Sequence, residues 1–272
     1  MRRNIFELIN EDLDLKNEYI KLMKLFKNEQ IYYTKTSIIR KFSLYECFDN
    51  AFNTWKYRRT FTNVKELLDK LELYDILIGD PINKILNLIE LIFNAEKHCD
   101  RKKIYYKLNS KSKIIHNTEI ILDCLGYTQI DDGDKIILAL KNADAIETAK
   151  EVDDTDIARS IIEYLDYRIE KDLVTKKDIL TRLLNYLEPY RKQIKNIDSG
   201  LEDMIFFLGN NAHIRHNNKD GKNEKKYISD LEAEKLLEIY DREYGLILSA
   251  IRILEFKNEK GYYNNLKEKI NQ

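Results

Sequence analysis

Ser199-Gly200-Leu201-Glu202-Asp203-Met204-Ile205-Phe206-Phe207-Leu208-Gly209-Asn210-Asn211-Ala212-His213-Ile214-Arg215-His216-Asn217-Asn218 joins a helix signal to a polar cluster. Ser199, with Glu202 three residues on, has the form of a capping box. Behind it Leu201, Met204, Ile205 and Leu208 fall at i, i+3, i+4 and i+7, the spacing of one buried helical face. Asn210 to Arg215 therefore belongs to the last turns of that helix or lies just past them.

The same pattern continues on both sides. Asp153-Asp154-Thr155-Asp156 marks a helix start, followed by an apolar stripe at Ile157, Ile161, Leu165 and Ile169. Thr175-Lys176-Lys177-Asp178 opens another helix, apolar at Ile179, Leu180, Leu183, Leu184 and Leu187 until Pro189 signals its end. After a Gly-, Asn- and Lys-rich loop from Asn217 to Lys226, Ser229-Asp230-Leu231-Glu232 caps a long helix. Its stripe runs through Ala233, Leu236, Tyr240, Tyr244, Ile247, Ile251 and Leu254. Residues 150–257 thus predict an antiparallel helical bundle, with 258–272 as a helical extension. Its inward positions are Ile161, Leu165, Leu183, Leu187, Ile205, Leu208, Tyr244 and Ile251.

Residues 1–130 predict a second, N-terminal helical region packed with the bundle. Ile5, Leu8, Ile9, Leu22, Met23 and Phe26 recur at helical spacing. Ile38, Phe42, Tyr45, Phe48, Phe52 and Trp55 do so between Ser37 and Tyr57, as an aromatic face expected to be core rather than a base-stacking platform. Asn63 caps a helix with Glu66 three residues on, and Pro81 starts the most apolar helix. A short helix from Asn117 to Leu125 ends at Gly126, which is suited to a helix C-terminus. Gln129 to Asp134 reads as a boundary and Lys135 to Lys150 as helix. The expected class is all-α. Two prolines and eight glycines in 272 residues agree with long helices and short loops.

A net charge of −1 excludes the global positive field of a strongly basic nucleic-acid binder, so any RNA contact must be local. Cys47, Cys99 and Cys124 lack zinc or redox spacing and read as free thiols in a reducing cytoplasm. The N-terminus does not have the form of a secretory leader, and no stretch reaches the roughly 18 apolar residues of a membrane helix. No cofactor is implied.

Of four histidines, His213 and His216 are close together and bracket Arg215. On a helix, positions i and i+3 share a face, so the pair can act together. Histidine exchanges protons near neutral pH, and arginine holds phosphate through planar paired donors. Asn210, Asn211, Asn217 and Asn218 add amide groups, and Lys219, Lys222, Lys225 and Lys226 can attract a phosphate backbone. These are the parts of metal-independent RNA cleavage, in which a base deprotonates the ribose 2′-hydroxyl and a cation offsets the developing charge. An Asn-rich helix end, with cations on the last carbonyls, explains the same residues without chemistry. A metal site at His213 and His216 lacks third and fourth ligands. His98, Cys99 and Asp100 diverge on a helix. Lys56 to Arg59 and Arg101 to Lys107 mix cations with aromatics, as single-strand binders and solvated helix ends both do.

The Asn210 to Asn218 segment, followed by a capped amphipathic helix, resembles the C-terminal HEPN domains of bacterial abortive-infection proteins over residues 150–257. The resemblance implies an antiphage endoribonuclease that acts as a homodimer and arrests growth. His216 would transfer the proton, Arg215 hold the phosphate, Asn211 orient the backbone and His213 assist. Asn210, Asn217, Lys219 and Lys222 would bind RNA. The usual family signature places an arginine where this chain has Asn210, and Arg215 stands beside His216 instead. The alternative is a non-catalytic module that binds RNA, a nucleotide or a phage or antitoxin protein.

Overall fold

The computed structural model describes residues 13–29, 31–35, 38–73, 80–101 and 112–270. The chain is mostly helical, as the sequence predicts, with two small antiparallel hairpins among the described residues. It divides into two compact units, Met1–Lys141 and Asn142–Gln272.

In the first unit, α1 (Leu15–Asn28) is capped by Asp14 and buries Tyr19, Leu22 and Phe26. The expected stripe at Ile5, Leu8 and Ile9 lies outside the described residues. Strands β1 (Ile31–Lys35) and β2 (Ile38–Phe42) pair with Ile31 opposite Phe42. The helix expected from Ser37 therefore begins only at α2 (Leu44–Ala51), where Ser43 and Glu46 form a complete capping box. Ile38 and Phe42 have helical spacing, but the adjacent β-branched Ile38 and Ile39 suit a strand. Behind the box, Phe48 and Phe52 are buried edge to face at 5.5 Å, so the aromatic face is core.

Helix α3 (Val64–Lys70) is capped by Asn63. Helix α4 (Pro81–Arg101) buries Ile85, Leu86, Leu88, Ile89, Leu91 and Ile92, which lie on several of its sides. Helix α5 (Lys113–Cys124) is capped by Ser112, so it starts earlier than expected, and Gly126 follows its end at φ +77°.

Strands β3 (Tyr127–Asp132) and β4 (Lys135–Leu140) form a hairpin. Asp132 faces Lys135, leaving a two-residue loop whose first position is Gly133 at φ +65°. The expected helix from Lys135 is thus a strand up to Leu140, and the stretch Gln129 to Asp134 pairs with it. The reason is burial: Ile136 to Ala139 are all buried, so the polar alternation of a half-exposed strand is missing. Asn94 of α4 fastens this strand, donating to the Ile136 carbonyl at 2.8 Å and accepting its N–H at 2.9 Å.

The second unit holds α6 (Ala143–Glu151), α7 (Thr155–Glu163), α8 (Leu173–Leu187), α9 (Arg191–Ile197), α10 (Ser199–Asn211), α11 (Lys226–Ser229) and α12 (Ala233–Ile270). Helix α12 packs on α6, α8 and α10; α7 packs on α8, and α9 on α10. Seven of the eight predicted core residues are buried, and Leu208 is half-buried. Two helix starts differ from expectation. Asp198, not Ser199, caps α10 by accepting the Leu201 N–H, which frees Glu202 to bind Arg191. Asp172 caps α8 ahead of Thr175. Met204 is exposed, and a 3-10 turn at Tyr167–Ile169 interrupts the Ile157 to Ile169 stripe.

Candidate functional site

Helix α10 stops at Asn211. The Ala212 N–H donates to the Leu208 carbonyl at 2.8 Å, the Arg215 N–H returns to the Gly209 carbonyl at 2.9 Å, and His213 adopts φ +62°. His213 and His216 therefore do not share a helical face, because the helix ends before either. The chain instead runs beside α8: His213 meets Lys177, the Ile214 carbonyl meets Thr181, and Arg215 meets Asn185 and Glu188. Lys177 and Asn185 are about 12 Å apart along a helix axis. The side chains of His213 and Arg215 consequently diverge.

His213 is a latch. Its N–H donates to Asn218 Oδ1 at 2.9 Å, and its Nδ1 accepts the Asn218 N–H at 3.1 Å. Asn218 is buried, and its Nδ2 donates to the Asn223 carbonyl at 3.1 Å. The Tyr240 hydroxyl of α12 donates to the His213 carbonyl at 3.2 Å. Because Nδ1 accepts, the proton of the neutral ring sits on Nε2. Burial holds the His213 pKa below its ordinary value, as do Lys177 and Lys219, while Asp220 opposes them. These effects favour the neutral ring.

Arg215 is turned inward. Its side chain is 15% exposed, with Nη1 at 2.6 Å from Glu188 Oε2 and Nη2 at 3.3 Å from Asn185 Oδ1. Its Nε is buried with no hydrogen-bond partner among the described residues. Glu243 of α12 is wholly buried, and neither carboxyl oxygen has such a partner. Burial pushes the Glu243 pKa up to about 8, against the opposing pull of Arg215. The space beside it depends on Gly209, where a Cβ would lie 3.7 Å from Glu243 Oε1 and 2.8 Å from Leu184 Cδ1.

His216 is exposed at the start of the loop. Asn217 donates to Asp220 at 2.5 Å and accepts from the Lys219 N–H at 3.2 Å. Lys222 is exposed in a 3-10 turn, Gly221–Asn223. Asn211 donates back to the Phe207 carbonyl at 2.8 Å, and Asn210 is half-buried. The structure thus joins His213 to Asn218, sends Arg215 to α8, and leaves His216, Asn217 and Lys222 at the surface.

Elsewhere, Lys56 pairs with Asp134, and Arg58 donates to the carbonyls of Asn53 and Phe61. Those cations serve local structure. The cluster after Arg101 lies outside the described residues. Among the described residues no group of three His, Cys, Asp or Glu is placed to hold a metal ion, and no helix is long and apolar enough to cross a membrane.

Sequence reasoning missed Glu188, Arg191 and Glu243. A signal existed for the last, since Glu243 stands three residues after Tyr240 and four before Ile247, on the core stripe. Set against known protein families, curated proteins and solved structures, the chain matches none.

Proposed function

We propose that this chain is an antiphage protein of the abortive-infection type, with a HEPN-like C-terminal unit that cleaves RNA in the cytoplasm without a metal ion. The main support is the contrast between the two histidines. His213 and Asn218 lock the loop, so His216 stands exposed on a fixed base, followed by the cations of Lys219 and Lys222.

In the proposed reaction the His216 imidazole takes the ribose 2′-hydroxyl proton and the 2′-oxygen attacks the adjacent phosphorus. The bond to the 5′-oxygen breaks, and that oxygen leaves with a proton from a second group. The products are a 2′,3′-cyclic phosphate and a 5′-hydroxyl. One copy offers a single exposed imidazole in this loop, so the second proton donor comes from the same loop of a second copy in a homodimer.

A non-catalytic alternative, binding RNA, a nucleotide or a protein partner, is favoured by one observation: the Arg215 guanidinium is already engaged by Glu188. Incubating purified protein with total cellular RNA separates the two. Cleavage is expected with EDTA present, with cyclic-phosphate ends, and His216→Ala should lower its rate by about 10² to 10⁴. Equal cleavage by wild type and His216→Ala, or none by either, removes the catalytic proposal. Growth arrest on expression should likewise depend on His216.

A further inference from the structure

We infer that Glu188 is an internal stand-in for a phosphodiester, filling an anion subsite that Arg191 and Arg215 build over the ring of Phe206. The identity of the ligand, though not the existence of the subsite, rests on the RNA function proposed above.

Glu188 lies in the 3-10 turn Glu188–Tyr190 between α8 and α9. Its Oε2 is 2.6 Å from Arg215 Nη1, and its Oε1 is 3.8 Å from Arg191 Nη1. Both guanidinium groups lie over the same ring, at 4.3 Å for Arg191 and 5.6 Å for Arg215 from the Phe206 centroid. Each is held by a further acceptor. Arg191 Nε is bound at 2.5 Å by Glu202, whose side chain is only 5% exposed, and Arg215 Nη2 meets Asn185. The two cations are therefore positioned by groups other than Glu188 and converge on it. Planar guanidinium forks placed in this way suit phosphate oxygens.

Charge identifies the occupant. Arg191 is balanced by Glu202, and Arg215 by Glu188, so the cluster is neutral as it stands. When Glu188 swings out it leaves one net positive charge and two open donor faces. A phosphodiester carries one negative charge and replaces the carboxylate like for like, whereas the terminal phosphate of a free nucleotide brings nearly two. Glu188 is 46% exposed and sits on a turn, so its side chain can rotate into solvent without moving a helix. Burial raises the Glu243 pKa to about 8, which favours its neutral form and opposes cancellation of the charge on offer. Arg215 immediately precedes His216 in the chain, so the subsite and the proposed proton-transfer group are carried by the same segment after α10.

The test is fluorescence anisotropy of a labelled single-stranded 2′-O-methyl RNA 12-mer, which has no 2′-hydroxyl to attack, titrated with full-length wild type, Glu188→Gln and Arg191→Gln over a range of salt. Glu188→Gln removes the competing charge at constant shape and should tighten RNA binding by about 5-fold, the effect of one unit charge at contact distance in water. Arg191→Gln should weaken binding and reduce the slope of log K against log salt by about 0.7. If Glu188→Gln binds RNA no better while its melting temperature falls, Glu188 is only a clamp and the inference is overturned. Should that variant not fold, an unchanged salt slope in Arg191→Gln overturns it instead. Inorganic phosphate, titrated by calorimetry, is the second arm, and tighter phosphate binding by Glu188→Gln without tighter RNA binding refutes the phosphodiester. Cleavage lost only in His216→Ala, with RNA affinity unmoved in Glu188→Gln, defeats the subsite and spares the nuclease. Tighter RNA binding without cleavage in any variant does the reverse.

Discussion

At the scale of single residues, Asn218 and Glu243 are polar side chains that the fold has enclosed, with opposite consequences. Asn218 has partners on both ends of its amide, so Asn218→Ala leaves the His213 N–H and the Asn223 carbonyl without them. A loss of about 1–3 kcal/mol is expected in urea unfolding, with faster proteolysis of the 213–223 loop. Acid should act on the same latch. The His213 pKa is held down by burial and by Lys177 and Lys219, so the unfolded chain binds this proton more readily. Stability therefore falls as pH drops below the ordinary histidine range. Glu243 shows the other sign. Its carboxyl is raised from 4.5 to about 8, so its contribution is complete below pH 4.5 and is lost as pH rises towards 8. Glu243→Gln should raise stability at pH 7 by about 2–3 kcal/mol and flatten the profile between those limits. Equal profiles for the two proteins would show that the carboxyl is ionised in the fold. Of this site, the histidines, Arg215 and the amide cluster were legible as a group. Their directions were not, because they depend on where α10 ends.

At the scale of elements, the close approach of α10 to α8 is set by Gly209. Its missing Cβ would stand 2.8 Å from Leu184 Cδ1, and Leu184 is fully buried. Gly209→Ala gains helix propensity but forces Leu184 into a filled core. A net loss of about 1–3 kcal/mol in thermal unfolding is expected, and a gain would mean that Leu184 has room to turn. Elements with strong amphipathic periodicity, such as α8 and α12, are readable from sequence, because burial of one face dictates the pattern. The two hairpins are not. Ile38 to Phe42 mimics helical spacing, and Ile136 to Ala139 is apolar without alternation, so neither carries the period-two signal. Asp132-Gly133 was the local sign of a tight turn, and its force comes only from the strand that pairs across it.

At the scale of the whole molecule, the proposed chemistry needs two copies, since each offers one exposed imidazole in the loop after α10. Light scattering is expected to give twice the 32.5 kDa chain mass at micromolar concentration. A monomer at high micromolar concentration would count against the composite site. The enclosed carboxyl of Glu243 has one further consequence, thermal in kind. Below its raised pKa of about 8 the native Glu243 carboxyl tends to keep a proton that the unfolded chain gives up, so unfolding near neutral pH releases a fraction of a proton on average. The buffer takes that proton and releases its own heat of protonation. Scanning calorimetry should therefore record a smaller unfolding enthalpy in Tris, which protonates with much heat, than in phosphate, which does so with little, and Glu243→Gln should shrink the difference between the two.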